Sequence, residues 1–259
     1  MLRTRVLTVV LGAPPLLACL WYGGRVWAVA VALLAGAAAA EAVAMAEASR
    51  RLPAGVAAVL AGCLVLLLGG LVPLPLLLGA TAVLLAVMIL DAALYPRGVR
   101  APAMLLGVLY PGLGLGHLVL LRQGAQGLGW SLFLLAAVWA ADIAAYFVGL
   151  ARGRHRLVPR LSPGKSREGA LAGLLAAAVA GAVAAGPLLH RGAAVGVALG
   201  VGAAVAGMVG DLAESALKRA AGRKDSGRLV PGHGGVLDRF DSLAFAAPVL
   251  YWWKMLGGM

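Results

Sequence analysis

Apolar residues run along this chain in long blocks, and short polar stretches punctuate them. About 20 apolar residues suffice for one helix to cross a bilayer, and blocks of that kind recur at about nine places. They are Val6–Trp21, Val26–Ala46, Ala54–Leu71, Pro73–Leu90, Ala101–Leu121, Leu128–Leu150, Gly169–Leu189, Ala193–Gly210 and Ser242–Trp253. Pro73 and Pro75 mark a tight turn, so the third and fourth blocks also read as one kinked hairpin. Abundant Ala and Gly suit close helix contacts, because helices in lipid associate through packing and not through a hydrophobic driving force. The pattern predicts an all-α polytopic membrane protein with two long polar loops in its second half. Residues 1–127 read as a transmembrane scaffold, and residues 128–259 as a transmembrane catalytic region.

Composition narrows the class further. Of 259 residues, 62% are hydrophobic and 12% charged, and the mean hydropathy is +0.95. A soluble domain carries about 25% charged residues, so the aqueous part is small and chemistry must sit in loops and helix ends. Cys19 and Cys63 both fall inside apolar blocks, where they read as small buried residues. The start of the chain has the basic and apolar regions of a signal peptide. Pro14 and Pro15 interrupt it and more spans follow, so it reads as an uncleaved first helix.

The net charge is +12, from 22 Lys and Arg against 10 Asp and Glu. No nucleic-acid motif accompanies it, so nucleic acid is not an expected partner. Basic residues instead collect in cytoplasmic loops and attract anionic headgroups. With the N-terminus inside, the inner segments hold Arg3, Arg5, Arg50, Arg51, Arg97, Arg100 and two clusters. One is Arg152, Arg154, Arg156, Arg160, Lys165 and Arg167; the other is Lys218, Arg219, Arg223, Lys224, Arg228 and Arg239. The outside keeps Arg25, Arg122, Arg191 and Lys254. This split predicts a protein of the cell inner membrane with both polar loops, and the site they form, facing the cytoplasm.

Acidic residues are uneven as well. Glu41, Glu47 and Asp91 lie at span edges in the first half, which reads as scaffold, while the other seven lie in or beside the two polar loops. Asp211, Glu214, Ser215 and Lys218 stand at i, i+3, i+4 and i+7, on one helix face. Carboxylates at the end of an apolar span are functional candidates, although Glu214 could also simply pair with Lys218. The segment Arg223–Gly235 is polar and glycine-rich, a composition in which backbone N–H groups can cradle phosphate oxygens beside Lys224 and Arg228. His233 within it carries little weight alone. Asp238 and Asp241 stand at i and i+3 before the last span, and paired carboxylates with a triphosphate are a usual way to hold Mg²⁺. The triplet Gly164-Lys165-Ser166 is not a P-loop, because the required earlier glycine is Pro159.

The run Ser215, Lys218-Arg219, Lys224-Asp225, His233-Gly234-Gly235, Asp238-Arg239 and Asp241 resembles the signature of phosphatidate cytidylyltransferases, with no departure at its defining positions. Upstream, Asp142 and Tyr146 share a helix face, and Ser162-Pro163-Gly164-Lys165-Ser166-Arg167-Glu168-Gly169 is similar to a second element of that family, with Ser166 in place of its usual Thr. The resemblance covers roughly Asp142 to the C-terminus. It implies transfer of CMP from CTP to phosphatidic acid, with Mg²⁺ and room for a second cation, membrane lipids as surroundings and a homodimer as assembly. Asp211, Asp238 and Asp241 are the implied metal ligands. Lys218, Lys224, Asp225, His233 and Arg239 join Asp211 as implied catalytic residues. Asp142, Tyr146, Ser162, Lys165, Ser166, Glu168, Ser215, Arg219, Gly234 and Gly235 are implied to bind substrate or nucleotide. Two other readings stand beside this one: a CTP-dependent enzyme acting on another lipid phosphate such as an ether-linked one, and a transporter using Asp142 and Asp211.

Overall fold

The computed structural model describes residues 2–46, 51–71, 86, 100–227, 229–230 and 234–257. Among them the chain forms eight α-helices: α1 (Leu2–Tyr22), α2 (Gly24–Ala46), α3 (Arg51–Leu68), α4 (Arg100–Arg122), α5 (Gly127–Arg152), α6 (Arg167–Ala184), α7 (Ala193–Ala220) and α8 (Leu237–Leu256). Five stretches are long and apolar enough to cross a membrane: Gly24–Met45, Leu105–Arg122, Gly127–Arg152, Arg167–Leu189 and Ala193–Ala220. The chain is therefore a helical, multi-pass membrane protein. Five of the nine expected spans match these stretches. Val6–Trp21, Ala54–Leu71 and Ser242–Trp253 fall on α1, α3 and α8, which are not among the five, and Pro73–Leu90 lies, apart from one residue, outside the described residues.

Three local features depart from an uninterrupted helical reading. Pro14 and Pro15 lie inside α1 without ending it, which neighbouring groups and local adjustment allow in membrane helices. After α6 the ladder widens into a π-turn over Ala185–Leu189, where Pro187 has no amide hydrogen to donate. The first polar loop is also not bare coil. It folds into an antiparallel hairpin of β1 (Arg156–Val158) and β2 (Ser162–Ser166), which pairs backbone groups that leave the helical ladder. Arg167 N donates to His155 O at 2.8 Å, so the pairing runs directly into α6.

The chain divides into two compact units. The first is Met1–Leu120 with Ala221–Phe240, and the second is Leu121–Ala220 with Asp241–Met259. In the first unit α2 packs on α3 around Ala39, Val43, Ala57, Leu60 and Ala61. A Cβ on Gly36 would stand 2.9 Å from Ala58 O, so the two helices meet almost backbone to backbone. Trp27 Nε1 donates to Leu118 O at 3.1 Å, tying α2 to α4. The end of the second polar segment packs here too, with Val236 and Leu237 buried against Ala38 and Met45.

In the second unit α5, α6 and α7 pack closely, with Ala141, Ala177 and Ala204 at the centre. Gly181 of α6 and Gly196 of α7 face one another so tightly that a Cβ on either would overlap the other's carbonyl oxygen. The opposite side of α6 exposes Leu171, Leu175, Val179 and Val183 at four-residue intervals, a continuous apolar face. Near the end of α8, Lys254 Nζ donates to Leu121 O at 3.1 Å and Gln123 O at 2.8 Å, fastening α8 to the last turn of α4 and the residue after it.

Small residues set the α6–α7 distance, which gives a direct test. Gly196→Leu should lower the stability of the detergent-purified protein by more than about 2 kcal/mol in thermal unfolding, because the blocked atoms are backbone. Gly192→Leu, where a Cβ meets nothing within 4 Å, should leave the transition in place.

Candidate active site

The second unit gathers three carboxylates at one point. Asp211 and Glu214 lie one turn apart on α7, and Asp241 comes from α8; one oxygen of each lies within 4.8 Å of the others. Gly210 makes this meeting possible, since a Cβ there would stand 2.5 Å from Asp241 O and 2.9 Å from Phe245 Cδ2. Glu214 and Asp241 are buried, and Asp241 Oδ1 accepts from Ser242 N at 2.7 Å.

Two ammonium groups answer these acids. Lys165 Nζ, from β2, is 2.5 Å from Asp211 Oδ2, and Lys218 Nζ is 2.6 Å from Glu214 Oε2. Asp142 on α5 adds a further negative charge within electrostatic reach of Asp211 and Lys165. An uncompensated buried charge is costly in such a setting. A small group of convergent carboxylate oxygens is what a hard divalent cation requires. Asp211, Glu214 and Asp241 therefore fit a metal ion.

The hairpin and α6 supply the rest of this wall. Ser166 caps α6, its Oγ accepting from Gly169 N at 3.1 Å. Glu168 fastens the turn: Oε1 is 2.6 Å from His155 Nδ1, and Oε2 accepts from Arg154 N at 3.2 Å. Both residues thus spend their polar atoms on the fold of the loop that presents Lys165. Ser162 begins β2, and Arg219 Nε donates to Leu161 O at 3.3 Å, joining the end of α7 to the hairpin. Ser215 is buried on the inner face of α7, with Oγ 3.5 Å from Asp211 Oδ1. Tyr146 is 64% exposed and stacks edge-on with Phe147 at 5.4 Å; it is not part of the acidic group.

The second polar segment folds within the first unit. Asp238 Oδ2 accepts from Ser226 N at 3.0 Å, Ser226 Oγ at 2.9 Å and Gly235 N at 2.8 Å, so this oxygen organises the loop. Gly234 has φ 88° and leaves no room for a Cβ beside Asp238 Oδ2, a backbone state that favours glycine. Lys224, Asp225 and Arg239 lie at the surface of this segment. His233 lies outside the described residues.

Three residues have roles beyond those the sequence assigned them, Glu214 in the acidic group and Ser226 and Glu41 in the second polar segment. Glu214 stands in the acidic group while also making the Lys218 pair that its spacing suggested. Ser226 lies inside the glycine-rich run, where nothing in its spacing set it apart. Glu41 was assigned to scaffold, yet its carboxylate is buried and bonded to Ser226 Oγ and Leu237 N. Its signal was present as a single acid inside an alanine-rich span, a position that ordinarily indicates function.

The fold and this site together define a helical membrane protein with convergent carboxylates that fit a metal ion and lysines beside them. The chain matches the family described as Cytidylyltransferase family over residues 3–256. The chain belongs to that family. It is 42% identical over 147 residues to a phosphatidate cytidylyltransferase of Brucella suis, covering 56% of this chain and 54% of that protein. It is 50% identical over 134 residues to the protein of that name from Pseudomonas aeruginosa, covering 51% and 49%. For the Staphylococcus epidermidis protein of that name the identity is 37% over 139 residues, covering 53% and 54%. The match thus spans about half the length of these curated relatives.

The ion pairs carry a stability prediction. Glu214 is only 1% exposed at its side chain. In metal-free buffer, Lys218→Met should therefore destabilise the protein by about 3 kcal/mol in thermal unfolding. Adding Glu214→Gln should recover most of that loss. An unchanged transition in the single variant would show that Lys218 does not neutralise Glu214.

Proposed function

We propose that this protein is a CTP:phosphatidate cytidylyltransferase, converting CTP and phosphatidic acid to CDP-diacylglycerol and diphosphate. The convergence of Asp211, Glu214 and Asp241 beside Lys165 and Lys218 is the observation that carries this reading. The names of the relatives supply the substrates, and the family supplies the reaction type.

In the reaction, an oxygen of the lipid phosphate attacks the α-phosphorus of CTP. The new P–O bond forms as the bond to the β-phosphate's bridging oxygen breaks, and diphosphate leaves with that electron pair. The nucleophile is already an anion, so little base catalysis is needed. The difficulty is to bring two polyanions together and to stabilise charge at phosphorus. A divalent cation, assigned here as Mg²⁺, would supply that charge stabilisation when bound.

Asp211 and Asp241 are the assigned ligands, with Glu214 beside them. Asp238, also a candidate ligand, has Oδ2 turned to the loop. Lys165 and Lys218 would hold phosphate oxygens once a metal shares the carboxylates. Ser215 would orient Asp211, and Arg219 with Ser162, Ser166 and Glu168 would keep the hairpin in place. Lys224 and Arg239 are assigned to the substrate phosphates, His233 to orienting the loop or touching a phosphate, and Gly234 and Gly235 to the nucleotide; Asp225 is assigned a catalytic role without a phosphate contact. The finer topology of this reading is nine spans in the cell inner membrane, with the N-terminus and the site on the cytoplasmic side, as the charge split favours.

Purified protein given labelled CTP and phosphatidate should form CDP-diacylglycerol in Mg²⁺ and none in excess chelator. Asp211→Asn should reduce kcat/KM by about 100-fold or more, as loss of an electrostatic group in the transition state does. Full turnover in chelator, or in that variant, would remove the metal from the account. Turnover with an ether-linked lipid phosphate and none with phosphatidate would favour the related-substrate reading.

A further inference from the structure

Glu41 sits on α2, far from the signature in sequence, and is 6% exposed. Its Oε2 accepts from Ser226 Oγ at 3.1 Å and from Leu237 N at 3.0 Å. Leu237 opens α8, and the N–H groups of a first helical turn have no partner within their own helix. Glu41 thus caps α8 from another helix.

The glycines around it fit the same role. A Cβ on Gly227 would stand 2.5 Å from Glu41 Cδ and 2.8 Å from Cγ. A Cβ on Gly235 would stand 2.8 Å from Glu41 Cδ and would overlap Ser226 Oγ. Only chain without a Cβ can close this tightly on the carboxylate from both sides. Ser226 Oγ in turn reaches Asp238 Oδ2 at 2.9 Å, so the two acids share one hydroxyl.

A buried acid that served only as scaffold would have no reason to gather both ends of one loop. Residues 226–227 lie at the loop's start and 235–237 at its end, and both close on the same side chain. Among the described residues, Oε1 of Glu41 is buried and receives no hydrogen bond. An apolar side chain would be cheaper to bury in a helix that packs and nothing more.

We propose that Glu41 is the positioning residue of the glycine-rich loop, fixing both of its ends so that Lys224 and the loop N–H groups are presented to the CTP phosphates. This rests on the cytidylyltransferase reading for its substrate, and on the loop geometry alone for the clasp. Glu41 touches no substrate and acts through Ser226, Gly227 and Gly235.

The test uses the full-length protein in detergent, with KM measured separately for CTP and phosphatidate. Glu41→Ala should raise the KM for CTP about tenfold or more, the effect of losing hydrogen bonds to a charged group. The KM for phosphatidate should change by less than about twofold, and Glu41→Gln, which keeps the acceptor, should restore CTP binding to within about threefold. Adding Ser226→Ala to Glu41→Ala should cost little more, because the two act as one unit.

An unchanged KM for CTP in Glu41→Ala would overturn the proposal. So would equal rises in both KM values, or a Gln variant as impaired as Ala. Hydrogen exchange of residues 221–236 provides a readout that needs no activity. It should quicken in Glu41→Ala while α3 keeps its protection, and unchanged exchange would overturn the clasp. If the wild type makes no CDP-lipid, the proposed function fails, and the exchange result still decides the clasp.

Discussion

A carboxylate at the end of an apolar helix must find its counter-charge locally, because little water is there to solvate it. The second unit is organised around that requirement. Asp211, Glu214 and Asp241 converge because Gly210 lets α8 lie against α7. Lys218 reaches back one turn on the same helix to Glu214, and the hairpin brings Lys165 to Asp211. The hairpin in turn is held by Glu168, by the Ser166 cap and by Arg219 on Leu161 O. Remove the acids, and most of these polar contacts lose their purpose.

The same pairing suits the proposed reaction. Two substrates that both carry phosphate would repel each other, and lysines paired with carboxylates would become available to phosphate if a cation took the carboxylates. The first unit handles a different part of the problem with the same type of group. There Asp238 and Glu41 use carboxylate oxygens on backbone N–H groups and the Ser226 hydroxyl. Acids at the end of one chain segment are grouped as a metal ion would require; acids a few residues away shape a loop.

The helices were legible in the sequence because apolar blocks of spanning length have few alternatives. The α7 face was legible too, since Asp211, Glu214, Ser215 and Lys218 follow helical spacing. What spacing does not reveal is which oxygen bonds to what. Asp238 and Asp241 looked like a matched pair at i and i+3, yet Asp241 joins the acidic group while Asp238 Oδ2 turns to Ser226 and Gly235. Glu41 was read as scaffold because its partners lie 185 and 196 residues further along the chain, and local pattern carries no such contact. The hairpin at Arg156–Ser166 escaped notice for another reason: its strands are short and polar, with no alternation to read.

The central claim is that the acids of α7 and α8 hold a divalent cation, and Mn²⁺ titration of the purified protein followed by electron paramagnetic resonance tests it most directly. The account predicts saturable binding that weakens about tenfold or more in Asp211→Asn and Asp241→Asn, as loss of a metal-site group does. Unaltered Mn²⁺ affinity in both variants would contradict it.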